Sequence, residues 1–431
     1  MSETDTDAAD QFDERVSRGR MDESTPGLWR RVGRLPRNVL AISIVSLFND
    51  ASSEIIYPFL PLFLTLTLGA SPFAIGLIEG GAESVSALLK LFSGYFSDRR
   101  GRRKGLVVFG YGLAGVARPL LAFAATWPQV LFIRLTDRVG KGLRSAPRDA
   151  LIADSARPAE RGLAFGFHRA MDHAGAVVGP LAGYFILAVV AANADAPTAA
   201  DYRTLFLLAS IPALAAVLVA AFFVREARVA RAADALEPPR LSLRGFDGNF
   251  KRFLLILALF TLSNSSDAFL LLRAQEAGVS TPTIPLLWAA LHLCKVMSSL
   301  VGGDLSDRLG RKTLIVSGWL LYAAVYMGFA FVASATEAWI LFLVYGIYFG
   351  LVEGTEKALV ADLVRPEQRG TAYGLYNLAF SISVLPASLL MGGLWAWRGA
   401  TTAFVVSALV GSGSALLLAL TVRPKRVPGA G

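Results

Sequence analysis

Apolar residues run along this chain in about a dozen stretches of twenty or more, each closed by a short polar break. A helix of about 20 such residues covers the roughly 30 Å hydrocarbon core of a bilayer. The pattern predicts helices over roughly 38–66, 73–97, 104–125, 128–154, 162–191 and 202–225, then 251–273, 281–306, 312–333, 336–361, 369–396 and 400–422. The polar segment from Arg225 to Lys251, with Glu237, Pro238 and Pro239, divides them six and six and reads as a linker. The division is a disordered tail over 1–37, a six-helix unit over 38–225, a linker over 226–250, a second unit over 251–422 and a short tail over 423–431.

Composition agrees with the pattern. Of 431 residues 54% are hydrophobic and 17% charged, and the mean hydropathy is +0.51, outside the range of ordinary soluble domains. Cys294 stands alone in an apolar stretch, which excludes an intramolecular disulfide and a cysteine metal site. The net charge of +9 is not gathered on one soluble face, so nucleic acid is not an expected partner; membrane lipid is. The first 37 residues begin acidic and end in Arg30, Arg31, Arg34 and Arg37, without the apolar core of a signal peptide. Cations collect at alternate breaks, in Arg99 to Lys104, Arg157 and Arg161, Arg225 to Arg231, Arg308 to Lys312, Arg365 and Arg369, and Arg423 to Arg426. Positive residues near helix ends stay on the cytoplasmic side, so both termini are expected inside, in a multi-pass cytoplasmic (inner) membrane protein.

The halves repeat. ALIADSARPAERGLAFG from Ala150 matches ALVADLVRPEQRGTAYG from Ala358, and GYFSDRRGRRK from Gly94 matches GDLSDRLGRKT from Gly303. The second pair carries a resemblance to the major facilitator superfamily, whose loop signature after the second helix is matched by Gly94, Asp98, Arg99, Gly101 and Arg103, and again by Gly303, Asp307, Arg308, Gly310 and Lys312. The resemblance implies an all-α membrane fold of twelve transmembrane helices in two pseudo-symmetric six-helix bundles, which rock about a midplane site and open it to each side in turn. These loops place a carboxylate and several cations at the membrane face, where ion pairs are able to form in one state and break in another; the alternative is that the cations only enforce topology. Gly175, Gly179, Pro180 and Gly183 match most of a fifth-helix pattern that the resemblance associates with antiporters; Tyr184 replaces its last glycine, and close packing explains the pattern equally well. In the fourth helix Arg134 matches the family's arginine, while Asp137 and Arg138 depart from its Gln-Gly. The run RLTDRVGKGLRSAPRD followed by FHRAMDHAG looks like a prokaryotic subgroup of the family.

Charge inside the helices supplies the candidate chemistry. At about 100° per residue, Arg134, Asp137, Arg138, Lys141, Arg144, Arg148 and Asp149 fall within an arc of about 140°. Each would cost about 2.5–3.5 kcal/mol against lipid, so the stripe is expected to face protein or water. Glu79, Glu83 and Lys90 share a face of the second helix, and Asp50 and Glu54 lie four apart on the first. The fifth adds His168, Arg169 and Asp172. The second half offers Asn264 and Asp267, His292 and Lys295, Glu353, Glu356 and Lys357, and Asn377. Arg134, Arg138, Lys141, Arg144, Asn264, Asp267, His292, Lys295, Glu353 and Asn377 are the candidate cavity residues, and Asp50, Glu54, Glu79, Glu83, His168 and Asp172 the candidate proton-coupling set. A fixed ion-pair network is the structural alternative. Arg148 and Asp149 align with Glu356 and Lys357, so the two helices are able to pair across the bundles. Tyr57, Phe165, Phe167, Tyr345, Tyr348 and Tyr376 are candidate aromatic lining.

No zinc-type His-Glu-x-x-His, Gly-x-Ser-x-Gly elbow or phosphate-binding Gly-Lys-Ser/Thr loop is present, which argues against an enzyme and against direct ATP drive. Short tails and linker leave no room for the output module of a transporter-like sensor. The reading is a monomeric secondary transporter of a small organic solute, proton-coupled and exporting, with no cofactor or metal; import of an anionic metabolite or chelate is the alternative.

Overall fold

The computed structural model describes residues 33–100, 102–156, 161–191, 197–226, 242–365 and 368–422. Twelve spans cross it: α1 Arg37–Thr67, α2 Pro72–Arg100, α3 Lys104–Phe123, α4 Trp127–Ser155, α5 Arg161–Val190, α6 Ala199–Phe222, α7 Gly248–Glu276, α8 Ile284–Leu309, α9 Arg311–Phe331, α10 Ala335–Leu363, α11 Arg369–Arg398 and α12 Ala400–Thr421. Nine of them, among the described residues, are long and apolar enough to cross a membrane. α2, α4 and α8 are not in that set; α2 carries Glu79 and Glu83, and α4 the seven-charge stripe.

Sequence breakers set the irregularities. α1 is interrupted at Tyr57–Phe59, where Pro58 lacks an N–H and crowds the carbonyl four residues back, and it resumes through a short π turn over Phe63–Thr67. α7 loses helical form between Ser263 and Ala268, where Asn264, Ser265, Ser266 and Asp267 follow in sequence and compete for their own backbone. Gly310, at φ +85°, turns the chain between α8 and α9, a conformation that favours glycine.

The helix pairs repeat between halves: α1 packs on α5 as α7 packs on α11, α2 on α4 as α8 on α10, and α3 on α6 as α9 on α12. The bundles meet through two equivalent seams, α2 with α11 and α5 with α8. The ends of α1, α6, α7 and α12 share one face, tied by Asn38 to Arg225 in both directions and by Arg252 to the Thr421 carbonyl. Toward the opposite, far face the α2–α11 seam closes tightly. A Cβ on Gly76 would strike the Ser388 carbonyl, one on Gly80 would lie 2.7 Å from Ser388 Cβ, and one on Gly392 would strike the Pro72 carbonyl. Nearer mid-helix, Ser84 Oγ donates to the Ser381 carbonyl at 3.1 Å. Within the first bundle, Gly175 and Gly179 bring α5 against α1: a Cβ at either would lie 2.6 Å from the Leu47 or Ala51 carbonyl oxygen.

Candidate functional site

The stripe on α4 is turned into the first bundle, and most of its charges are paired there. Arg134 donates to both oxygens of Glu79 on α2, at 2.9 and 3.0 Å, and both side chains are buried. Arg138 reaches Glu83 at 3.1 Å and Asp137 at 3.5 Å. Asp137 also accepts from Arg118 Nε at 3.2 Å, and Arg118 donates to the backbone and side-chain oxygens of Asn49 at 2.9 and 3.0 Å. A buried guanidinium is tolerated when carboxylate and carbonyl oxygens take its donors, and these arginines meet that condition. Lys141 shares Glu83 at 3.7 Å, and these two side chains remain 43% and 42% exposed. They are the most exposed of the paired charges between α2, α3 and α4.

One turn toward the terminal face the pairing thins. Arg144 lies over the Tyr111 ring at 4.4 Å without a carboxylate within 4.0 Å. Arg148 holds Asp149 at 2.9 Å and donates to Ser46. On α5, His168 and Asp172 approach only to 3.7 Å, and exposed Arg169 stands 3.9 Å from the same carboxylate. Asp50 on α1 accepts from Asn49 at 2.9 Å.

The second bundle builds its polar centre around the break in α7. Asp267 accepts from Tyr345 on α10 at 2.8 Å and faces Lys295 on α8 at 3.6 Å, while Asn264 donates to Tyr348 at 3.3 Å. Lys295 also lies 3.6 Å from the Phe349 ring centre, a cation held over an aromatic face. Tyr322, Tyr326, Tyr345 and Tyr348 pack as one buried group. His292 stands edge-on to Trp288 at 5.0 Å.

The two centres touch at the breaks. Trp288 Nε1 on α8 donates to Glu54 Oε2 on α1 at 2.7 Å. Tyr57 packs on Trp288 at 5.0 Å between ring centres, and its hydroxyl meets Ser266 at 3.5 Å.

These contacts define a chain of two pseudo-symmetric bundles joined at the far half through seams of small residues and a few polar bridges. The family model described as Major Facilitator Superfamily matches residues 42–388 and 253–431. The chain belongs to the major facilitator superfamily. It is similar to an uncharacterized MFS-type transporter of Methanocaldococcus jannaschii, 35% identical over 368 residues that make up 84% of this chain and 89% of the relative. A shorter match joins it to the multidrug resistance protein MdtH of Yersinia pestis, 36% identical over 162 residues, 33% of this chain and 38% of that one. Among solved structures, a bacterial homolog of the human lysosomal transporter Spinster, in an inward-facing and occupied conformation, shares the fold at a TM-score of 0.74 and 16% identity, covering 89% of this chain and 95% of that chain. Superfamily membership makes this chain a secondary transporter of the alternating-access type rather than an enzyme.

The superfamily loops are partly visible. Gly94, Asp98, Arg99, Gly303, Asp307 and Arg308, and likewise Glu353, fall outside the described side chains, and Gly101 outside the described residues. Arg103 pairs with Asp154 at the end of α4, and Glu226 accepts from the backbone N–H groups of Arg103 and Lys104 at 2.9 and 3.0 Å. In the second copy Arg311 pairs with Asp362 at 3.1 Å, and Lys312 donates to the Ala419 carbonyl at 2.6 Å. Each loop thus clamps the third helix of its half to the end of the fourth or sixth. Asn377 is exposed on α11. Pro180 and Gly183 lie on α5, where a Cβ on Gly183 would lie 3.2 Å from the Ile55 carbonyl oxygen of α1.

Arg148 keeps Asp149, and Glu356 accepts from Trp319 at 2.9 Å and Tyr376 at 2.7 Å inside its own bundle. Tyr345, Tyr348 and Tyr376 are buried. Sequence reasoning passed over Arg118 and Trp288. A lone arginine inside the apolar run of α3 was a readable signal for the first; nothing in the sequence distinguishes Trp288 from a lipid-facing or packing tryptophan.

Proposed function

We propose that this transporter exports a small organic solute in exchange for protons, with Asp50, Glu54, Glu83 and Asp172 as the carboxylates through which proton binding is coupled to rocking. The observation that carries the reading is the Glu54–Trp288 bond, which joins a half-buried carboxylate of one bundle to the other bundle. Rocking that parts the far seam breaks this bond and exposes the carboxylate to water, so proton occupancy and conformation are linked through one group. Half-exposed Glu83 beside Lys141 supplies a second carboxylate whose ion pair a solute is able to displace. Partial similarity to a multidrug resistance protein supports export. One proton crossing a potential of about 100 mV supplies about 2.3 kcal/mol, enough for roughly a 50-fold solute gradient. The termini and linker then face the cytoplasm of an inner-membrane monomer.

A second reading, import of an anionic metabolite, draws on the cations Arg138 and Lys141, which share Glu83. Purified protein in liposomes separates these readings. Proton movement accompanying solute flux, opposite in direction and driven by an imposed pH gradient at fixed membrane potential, is the expected result. Flux that ignores a collapsed pH gradient and moves no protons overturns the coupling, and protons moving with the solute favour import.

A further inference from the structure

Arg144 is the exception among the buried arginines of α3 and α4. Arg118, Arg134 and Arg138 each reach carboxylate oxygen, whereas Arg144, 5% exposed, has neither an ion pair nor a hydrogen bond among the described residues, and its Nη1 is buried there without a partner. It is held where it is: a Cβ on Gly110 of α3 would lie 2.7 Å from Arg144 Cβ, and the guanidinium rests on the Tyr111 ring. Unmet acceptors lie nearby. Asp172 on α5, 9% exposed, has a buried Oδ1 without a hydrogen bond, and His168, 4% exposed, has none at either ring nitrogen. Asp50 on α1 is close enough to interact electrostatically with Arg144, Arg148 and Asp172, yet bonds only the Asn49 amide. The charged groups facing Arg144 are therefore Asp50 from α1, Arg118 with Asp137 already paired to it, and Tyr111 from α3.

A fixed structural network would close these groups on one another, as Arg134 and Glu79 close. Here Arg144 on α4 and Asp50 on α1 lie within electrostatic reach of each other without bonding, and Asp172 on α5, within reach of Asp50, keeps a buried Oδ1 without a hydrogen bond while its Oδ2 lies 3.7 Å from His168 and 3.9 Å from Arg169; buried polar groups left in that state are expensive. A ligand that satisfies both signs must carry an anionic group for Arg144 and N–H donors with positive charge for Asp50 and Asp172.

We infer that Arg144, Asp50 and Asp172 form a binding site for a small zwitterion bearing a primary ammonium and a carboxylate or phosphate a few bonds apart. This names the substrate class of the transporter and so rests on the transport reading, but binding itself does not depend on proton coupling. The anionic group takes the unbonded N–H groups of the Arg144 guanidinium, and the ammonium lies at the carboxylates of α1 and α5. A free amino acid and the headgroup of an aminophospholipid share this chemistry.

The test is thermal unfolding of the purified full-length protein in detergent with glycine, alanine, leucine or phenylalanine at millimolar concentration. Parallel samples hold the N-acetyl and methyl-ester derivatives, each lacking one charge, or glycerophosphoethanolamine as the headgroup. At least one amino acid, or the headgroup, should raise Tm by about 3 °C at saturation, with the singly charged derivatives inactive; which of the two acts identifies the source. Arg144→Met should abolish the shift without lowering the ligand-free Tm, because it removes an unpaired charge, whereas Arg134→Met should lower it. Asp172→Asn, close to isosteric, tests the ammonium end if Arg144→Met fails to accumulate. No shift with any probe, equal shifts with the singly charged derivatives, or a ligand-free Tm that falls as far for Arg144→Met as for Arg134→Met overturns the assignment. Binding without proton-driven flux would leave the site standing and remove only the coupling mechanism.

Discussion

Trp288→Phe isolates the bond that crosses between the bundles. Phenylalanine keeps an aromatic ring to pack on Tyr57 but has no N–H for Glu54, so the 2.7 Å bond is lost with little change in the apolar contact. A hydrogen bond to a charged group contributes about 1.5–3 kcal/mol net. It exists only while the far seam is closed, so its loss acts on the equilibrium between closed and open far faces and not on the folding of either bundle. At 1.4 kcal/mol per factor of ten, the open population should rise about 10- to 150-fold relative to the closed one.

The measurement is a distance distribution between spin labels at Ala125 and Ser280, both exposed at the far face on opposite bundles, in a Cys294→Ser background. The parent should show one short distance, and Trp288→Phe a second, longer population. Glu54→Gln retains an acceptor oxygen but loses its charge and should give a smaller shift. Adding Trp288→Phe to Glu54→Ala should change nothing further, because the partner is already gone. An unchanged distribution in Trp288→Phe, or equal additive shifts in the double variant, would refute the claim that this bond holds the seam.

Breaking the closed pair of the first bundle should affect stability rather than gating: Glu79→Gln leaves Arg134 buried beside a neutral amide and should cost about 3–5 kcal/mol, read as a fall in Tm of the purified protein. Gly179→Val would drive its side chain into the Ala51 carbonyl oxygen, which a Cβ would approach to 2.6 Å, and should cost about 1–3 kcal/mol while parting α1 from α5; unchanged Tm would show that the helices separate without penalty. Lys141→Ala should weaken solute binding about tenfold while Arg148→Ala, whose charge is already held by Asp149, changes it less than threefold in the same binding assay. Asp98→Asn should reduce flux at least tenfold at normal membrane abundance, and normal flux would remove the loop from gating.

Periodicity and charge carried most of the architecture in the sequence. The apolar runs located the spans within a few residues, and the duplicated loop and the block from Ala150 recurring at Ala358 foretold the pairing of α1–α5 with α7–α11. The inward turn of the α4 stripe was legible because seven charges have no other stable direction in a bilayer. Which charge meets which was not. Arg134 and Arg138 are a turn apart and chemically alike, yet one is sealed against Glu79 and the other shares an exposed carboxylate with Lys141, a difference set by how deeply α2 and α4 approach. Nor were Trp319 and Tyr376 readable as partners of Glu356, since they lie 37 and 20 residues away in sequence. The break in α1 was announced by Pro58, while that in α7 rests on the weaker helix preference of four polar residues.

The distribution of strong and weak contacts explains how such a molecule moves. Buried ion pairs join α2 to α4 and α3 to α4, and breaking one costs several kcal/mol in a medium of low dielectric, so the first bundle holds its shape. The second is held by packed tyrosines around the α7 break. Across the α2–α11 seam the described contacts are of another kind: glycine backbone against serine backbone and a single serine-to-carbonyl bond, with Glu54–Trp288 and Tyr57–Ser266 nearby. The serine and tyrosine bonds, between neutral groups, contribute about 1 kcal/mol each, and the bond to the Glu54 carboxylate about 1.5–3 kcal/mol. Close backbone approach without long interlocking side chains lets a seam part as a surface, and the energy of one proton in a membrane potential is comparable to the bonds that parting must break. Rigidity therefore resides within the bundles and compliance between them, which is the arrangement that rocking requires.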